Sequence, residues 1–393
     1  MLFFNKKKSA HKKPLGLYIH IPFCVKKCNY CDFLSAPGDD ATKARYVDAL
    51  CKEIAGYKEV AKEYKLATVY FGGGTPSVLE ISLIEKILST MKASFAVDEA
   101  AEITMEVNPG TVSLDKLKRY IELGINRLSI GVQSSKEKEL AILGRIHSFE
   151  EAKQTVLWAR QAGFTNISLD LMSALPEQSL EDYMENVEAI LSLNPEHISS
   201  YSLIVEEGTP FFDLYAEGMS KETDLPDEET DRAMYAYTKE RLEQAGYERY
   251  EISNYAKPGY ESRHNSSYWT GTEYLGVGLG ASSLFTNARY HNETDLLTYI
   301  KEVTAGHDVR RETERLDIEE QMEEFMILGL RMMRGVSRQE FMKRFGKPIE
   351  TVYGSALNKL EKQGLLSKEG DCIALTETGI DVSNQVFVEF VPE

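Results

Sequence analysis

The sequence predicts an α/β protein: a partial (β/α)6 barrel followed by a small C-terminal helical domain of winged-helix-like shape. Two observations predict it. Up to about Ile204, short β-branched or aromatic runs alternate with long amphipathic stretches, and alternation with near-continuously apolar strands implies a parallel sheet with helices outside. From about Asp317 the pattern turns helical and ends on a short strand. Six strand–helix units fit a partial barrel better than a complete eight-unit one. An open doubly wound sheet is the alternative.

The expected strands are Leu15–Ile21, Ala67–Phe71, Glu102–Val107, Arg127–Val132, Asn166–Leu171 and His197–Ile204. Helical periodicity fills the gaps over Ala41–Tyr64, Leu79–Phe95, Leu114–Leu123, Phe149–Ala162 and Leu180–Leu193. Ser179 with Asp182 three residues on has the pattern of a capping box opening the last of these. After Ile204 an acidic loop, Lys221–Thr230, precedes a helix over Arg232–Gln244 and a short strand, Glu248–Ile252. A Gly- and Ser-rich stretch, His264–Ser283, follows. Helical patterns over Ile318–Met333, Ser337–Phe345 and Ile349–Gln363, then a strand at Cys372–Leu375, suggest helices with a β-wing. The expected organisation is a basic tail (1–14), a barrel (15–254), a linker region (255–316) and a small C-terminal domain (317–393). A winged shape suggests DNA binding, but no strongly basic recognition helix is present.

A net charge of −17 repels nucleic-acid phosphates and argues against a general DNA or RNA binder. Hydrophobic residues make up 42% of the chain, enough for a sizeable core. No run approaches the roughly twenty apolar residues of a membrane span. Leu2-Phe3-Phe4 is too short for the apolar region of a secretory signal. The basic first fourteen residues read as a solvated terminus; the sharper reading is a weak membrane-surface contact through Lys6, Lys7 and Lys8. Five cysteines, three of them within eight residues, do not resemble a disulfide framework and suit a reduced, cytoplasmic compartment. Cys51 and Cys372 stand alone and read as packing residues. Nothing in the residues selects an oligomeric state.

The cysteine cluster carries the chemistry. Cys24-Val-Lys-Lys-Cys28-Asn-Tyr-Cys31 directly follows the first strand. Three thiolates at these spacings can wrap one small cluster from a single loop. A 4Fe–4S cluster is commonly held by four cysteines, so three ligands leave one iron open to an exchangeable ligand. The rivals are a zinc site with His20 as fourth ligand, although no second ligand pair is present, and three thiols that merely pack.

The loop resembles the signature of radical-SAM proteins, CxxxCxxC with an aromatic residue, here Tyr30, before the last cysteine. Gly72-Gly73-Gly74-Thr75-Pro76, after the second strand, is similar to the family's glycine motif, whose backbone meets the methionine amino group of S-adenosylmethionine. Glycine permits that approach because no Cβ intervenes. The resemblance implies further cofactor contacts at strand ends: Glu106 on the ribose hydroxyls, Gln133, Arg145 and Asp170 on the same rim, and Tyr18 near the cluster. Polar residues at the C-terminal ends of barrel strands line active sites.

Tyr18–Leu34, Gly72–Pro76, Ser129–Ser134 and Leu169–Pro176 are similar to the oxygen-independent coproporphyrinogen III oxidase group, and the resemblance spans roughly residues 15–385. Two departures set the chain apart from the oxidase itself. Phe33 stands where the oxidase has a further Cys, and only 23 residues precede Cys24 where the oxidase has a long arm. Both match the heme-chaperone branch of the group, whose mark His-Asn-x-x-Tyr-Trp is met by His264-Asn265-Ser266-Ser267-Tyr268-Trp269. That branch implies heme as a ligand and heme-accepting proteins as partners. His264 would be the axial ligand, with His20 and His291 as competitors, and Tyr268 and Trp269 would pack on the porphyrin face. The alternative function is oxidative decarboxylation of porphyrinogen propionates by a 5′-deoxyadenosyl radical; a weaker third is radical chemistry on another substrate.

Overall fold

The structure, a computed structural model, describes residues 12–391. The Lys6–Lys8 surface contact therefore lies outside the described residues. Ordered strand begins at Lys13, inside the segment expected to be tail.

Six parallel strands form the barrel: β1 (Lys13–Ile21), β2 (Tyr64–Gly73), β3 (Ala96–Val107), β4 (Arg127–Gln133), β5 (Ile167–Ser173) and β6 (His197–Ser202). They pair in chain order, and β1 does not pair with β6, so the barrel is open. Leu15, Leu17, Ile19 and Ile21 are fully buried in the core with Val69, Phe71, Ile103, Met105, Leu128, Ile130, Ile167 and Leu169. Burying one such side chain contributes about 1.5–3 kcal/mol. Because strand side chains alternate, the residues between them share the opposite, inner face: Tyr18 and His20, Thr68 and Tyr70, Glu102 and Glu106, Arg127 and Ser129, Ser168 and Asp170, His197 and Tyr201. The strands are therefore half polar rather than near-continuously apolar. The difference lies inside the barrel, where polar groups find one another.

Helices Leu114–Leu123 and Phe149–Ala162 have the predicted bounds, each closed by a glycine at positive φ, Gly124 and Gly163, as a helix C-terminus favours. Ser179 and Asp182 form the capping box. The periodicity over Ala41–Tyr64 divides: the first helix is Asp40–Gly56, and Tyr64 already begins β2. A helix at Glu137–Ile142, between Gln133 and Arg145, was not anticipated.

The stretch expected to be a linker is part of the main sheet. Helix Arg263–Trp269 is followed by β9 (Tyr274–Val277), β10 (Ser282–Phe285), β11 (Ala288–Asn292) and β12 (Arg310–Arg315), while β7 (Glu248–Glu251) and β8 (Asn254–Ala256) extend the far edge. The result is a 12-stranded sheet in which β9 pairs parallel to the outer edge of β1, satisfying backbone groups that an edge leaves open. Glycine disguises β9 for a packing reason: a Cβ on Gly276 would collide with the Ser282 carbonyl oxygen.

From Asp317, which caps helix Ile318–Gly329, a second core forms around Met326, Leu330, Phe341, Ile349, Leu357 and Ile373. A three-stranded antiparallel wing completes it: β13 (Val336–Ser337), β14 (Leu366–Glu369) and β15 (Cys372–Leu375). This is the winged-helix-like shape expected. No described helix is long and apolar enough to cross a membrane.

Candidate functional site

The cysteine loop is pinned at both ends and in the middle. Phe23 is buried, and its neighbour Cys24 donates its backbone N–H to the Ala36 carbonyl at 3.2 Å. Asn29 donates from backbone and side chain to the carbonyls of Leu143 and Ile142, at 3.0 and 2.9 Å, and accepts from the Phe211 N–H. Tyr30 packs on Phe211 with ring centroids 6.2 Å apart, and burial pushes its hydroxyl pKa up. The three thiols are free and partly exposed. Cys24 Sγ lies 3.4 Å from Thr75 Oγ1, and Arg145 Nη1 lies 3.6 Å from Cys28 Sγ.

The thiols open onto a cavity of about 370 Å³. Gly73, Gly74 and Thr75 from the end of β2, Glu106 from β3, Gln133 from β4, Arg145 and Asp170 line it with Cys24, Cys28, Cys31 and Tyr30. Tyr18, expected near the cluster, lies outside it, stacked on Tyr70 with its hydroxyl 3.0 Å from His20 Nδ1. Backbone approach is close here. Gly73 has φ +108, and a Cβ on it would meet the His20 ring at 2.5 Å; one on Gly74 would meet the Phe23 carbonyl oxygen at 2.7 Å. Gln133 adopts φ +68, a conformation that costs a non-glycine residue about 1–2 kcal/mol, and accepts a hydrogen bond from the Tyr201 hydroxyl. Among the described residues no three His, Cys, Asp or Glu side chains converge to hold a single metal ion.

Burial raises the pKa of both acids in the cavity. Burial pushes Glu106 up to about 8 against the pull of the Tyr70 hydroxyl, and Asp170 up to about 6 against that of Arg127 and two serines. Arg145 ties the rim together, donating to Asn108 Oδ1 at 2.7 Å and to the Gly131 carbonyl at 2.5 Å. Asn108 in turn donates to Thr75 Oγ1 at 2.8 Å. Tyr70, Asn108, Arg127 and Ser129 were missed in the sequence. The available signal was the two-residue alternation that sets Tyr70 and Arg127 on the same face as Glu106. Arg127 is 1% exposed, and its Nε has no hydrogen-bond acceptor among the described residues.

A second cavity, about 490 Å³, adjoins the first across a shared wall of Asp32 and Phe33. Tyr18, His20, Leu34, Tyr268, Trp269, Tyr274 and Arg289 line it. His264 does not. It is 1% exposed, with Nδ1 2.8 Å from Thr68 Oγ1 and Nε2 2.8 Å from the Tyr268 hydroxyl. Burial, aided by Arg127, holds its pKa down to about 3, so the ring is neutral and both nitrogens are engaged. His264, expected as an axial ligand, is thus enclosed behind Tyr268 rather than facing the cavity. Trp269 carries the Arg331 guanidinium 4.4 Å over its ring, linking the motif to the C-terminal domain. His291 sits on β11 beside Glu312, at 3.3 Å.

Comparison with known proteins agrees with this architecture. The Radical SAM superfamily model matches residues 18–190, and the HemN C-terminal domain model matches residues 316–382. The chain is 36% identical to the heme chaperone HemW of Lactococcus lactis over 97% of its own length and 98% of that protein. It is 37% identical to HemW of Bacillus subtilis, with 96% and 99% covered. The chain belongs to the HemW family. The solved structure of the Escherichia coli coproporphyrinogen III oxidase HemN, described as a radical-SAM enzyme, superposes with a TM-score of 0.85 at 25% identity, covering 96% of this chain and 90% of that one. The HemW family thus shares its barrel and C-terminal domain with an oxidase, and the family as a whole implies a 4Fe–4S cluster and S-adenosylmethionine.

Proposed function

We propose that this chain is a cytoplasmic heme chaperone that binds heme in the aromatic groove and hands it to acceptor proteins. Beside the heme it would hold a 4Fe–4S cluster on Cys24, Cys28 and Cys31, with exchangeable S-adenosylmethionine in the adjoining cavity. One observation supports this above the rest: a thiol-lined polar cavity and an aromatic-lined groove share the Asp32–Phe33 wall. The residues fit the absent groups. Three free thiols on one loop, with the Arg145 cation against one of them, suit an anionic cluster. The glycine backbone of Gly73 and Gly74 and the carboxyls of Glu106 and Asp170 suit a zwitterionic, ribose-bearing ligand. Held there, such a cluster would supply an electron to S-adenosylmethionine. Tyr268 and Trp269 would flank the porphyrin, and Arg289 on the groove wall would meet a propionate. His20 lines the groove and is the better placed iron ligand, although it must release the Leu34 carbonyl, 2.9 Å from Nε2. His264 lies behind the groove wall and could serve through Nε2 only by giving up the Tyr268 hydroxyl, with Thr68 kept on Nδ1. The test is loading with hemin followed by transfer to an apo-acceptor.

A second reading, oxidation of a porphyrinogen, is favoured by the HemN likeness. Anaerobic incubation with coproporphyrinogen III, S-adenosylmethionine and a strong reductant separates the two, since only the oxidase reading forecasts turnover.

A further inference from the structure

A chain of contacts runs from the wall of the thiol-lined cavity to the aromatic groove. The Tyr70 hydroxyl donates to Glu106 Oε1 at 2.8 Å. The Tyr70 ring lies over the His264 ring, centroids 5.2 Å apart and planes 21° from parallel. His264 Nε2 reaches the Tyr268 hydroxyl at 2.8 Å, and Tyr268 lines the groove. The imidazole cannot swing freely, because Thr68 holds Nδ1 and the His264 backbone N–H donates to Glu102 Oε1 at 2.9 Å. Packing around the first link is tight: a Cβ on Gly72 would meet Tyr18, Tyr70 and Glu106 within 3.2 Å. Neither Tyr70 nor His264 touches a proposed ligand by these contacts, yet they join the groups that would.

We propose that Tyr70 is a positioning residue that couples the two cavities, so that S-adenosylmethionine at Glu106 and heme at Tyr268 bind interdependently. The inference rests on the proposed function, whose ligands it takes as given. A carboxylate offers about four acceptor positions, and Tyr70 already occupies one on Glu106. Ribose hydroxyls donating to Glu106, with a sulfonium nearby, favour its anion. A hydrogen bond to an ionised acceptor is roughly twice as strong as a neutral one. Occupancy of the first cavity therefore tightens the Tyr70 bond and fixes the ring stacked on His264. That in turn holds the Tyr268 hydroxyl, so a porphyrin meets a wall that is already ordered and loses less freedom on binding. Linkage makes the effect reciprocal.

The test is hemin titration of the anaerobically reconstituted full chain, with and without saturating S-adenosylmethionine. It compares wild type with Tyr70→Phe and Tyr268→Phe, each of which keeps its ring and loses one hydroxyl link. The wild-type hemin Kd should fall about fivefold or more when S-adenosylmethionine is present, within the usual range of allosteric coupling. The ratio should collapse to one in both variants. A wild-type ratio of one, with both ligands bound, overturns the coupling and leaves the proposed function standing. A ratio retained in Tyr70→Phe overturns the part given to Tyr70. Wild type that binds no hemin, or no S-adenosylmethionine, overturns the underlying reading instead. A cooperative melt and normal iron content qualify each variant; should Tyr70→Phe fail them, Tyr268→Phe decides alone.

Discussion

Arg145 places its guanidinium 3.6 Å from the Cys28 sulfur while donating to Asn108 and to the Gly131 carbonyl. The guanidinium sets a positive charge against the loop that would hold an anionic cluster. The same side chain thus joins the cluster loop to β4 and to the loop after β3. Arg145→Met should slow cluster assembly without preventing it, whereas alanine at Cys24, Cys28 or Cys31 should prevent it. Iron content and EPR after anaerobic reconstitution check both, and zinc without iron in the wild type would contradict the cluster.

On the proposed reading, Glu106 and Asp170 would address S-adenosylmethionine rather than the metal. Glu106→Ala and Asp170→Ala should each weaken S-adenosylmethionine binding about ten- to a hundredfold, the worth of a hydrogen bond to an ionised group at roughly 1.5–3 kcal/mol. Iron content should hold. Equilibrium binding alongside iron analysis reads the two separately, and unaltered binding in both variants would refute their placement at the cofactor.

The buried acids give the ligand-free protein a pH dependence of definite sign. Burial raises Glu53 from 4.5 to about 7, Glu106 from 4.5 to about 8 and Asp170 from 3.8 to about 6. In each case the folded state holds its proton more tightly than the unfolded state. The contribution to stability is full below the unfolded value and is lost as pH rises through the folded one. Below about pH 6.5 the buried histidines whose pKa burial lowers, His20, His147, His197 and His264, act with the opposite sign, so the melting temperature of the free protein should decline from about pH 6.5 to 8, and Glu53→Gln should lessen that decline. A melting temperature that climbs steadily across this window would contradict the assignment. Glu53 matters because it accepts from Gly278 N–H and Asn292 Nδ2, bonds that hold the glycine loop between β9 and β10.

His264 and His20 separate by spectrum and stability. His264→Ala leaves Thr68 and Tyr268 without their partner, so it should lower stability by about 2–4 kcal/mol. The heme spectrum of the protein that stays folded should be little altered. His20→Ala should shift or abolish the Soret band. Loss of the band in His264→Ala alone, in protein with an unchanged melt, would return the axial role to His264.

The legible parts of this chain are those whose cause is local. Leu114–Leu123 could be bounded because Ser113 caps it and Gly124 ends it, and the cysteine spacing is a chemical signature in itself. Tyr70 and Arg127 were not legible, because a tyrosine or arginine on a strand declares its role only when a neighbouring strand brings Glu106 or Asp170 alongside. Strand β9 was hidden by Gly276, whose residue type suggests a loop until the close approach of Ser282 is known. His264 shows what a motif leaves out. A recognisable motif histidine read as a metal ligand is enclosed by two hydroxyls in the fold, and no local pattern encodes that enclosure.

The measurement that bears most directly on the central claim is heme transfer. Full-length protein, reconstituted with its cluster and loaded with hemin, is mixed with an apo-acceptor, and the acceptor's own Soret spectrum is followed. Transfer should run faster than heme is lost to a passive scavenger, and Trp269→Ala, which removes a groove wall, should alter it. Transfer no faster than passive loss, together with turnover of coproporphyrinogen III by the same preparation, would contradict the chaperone account.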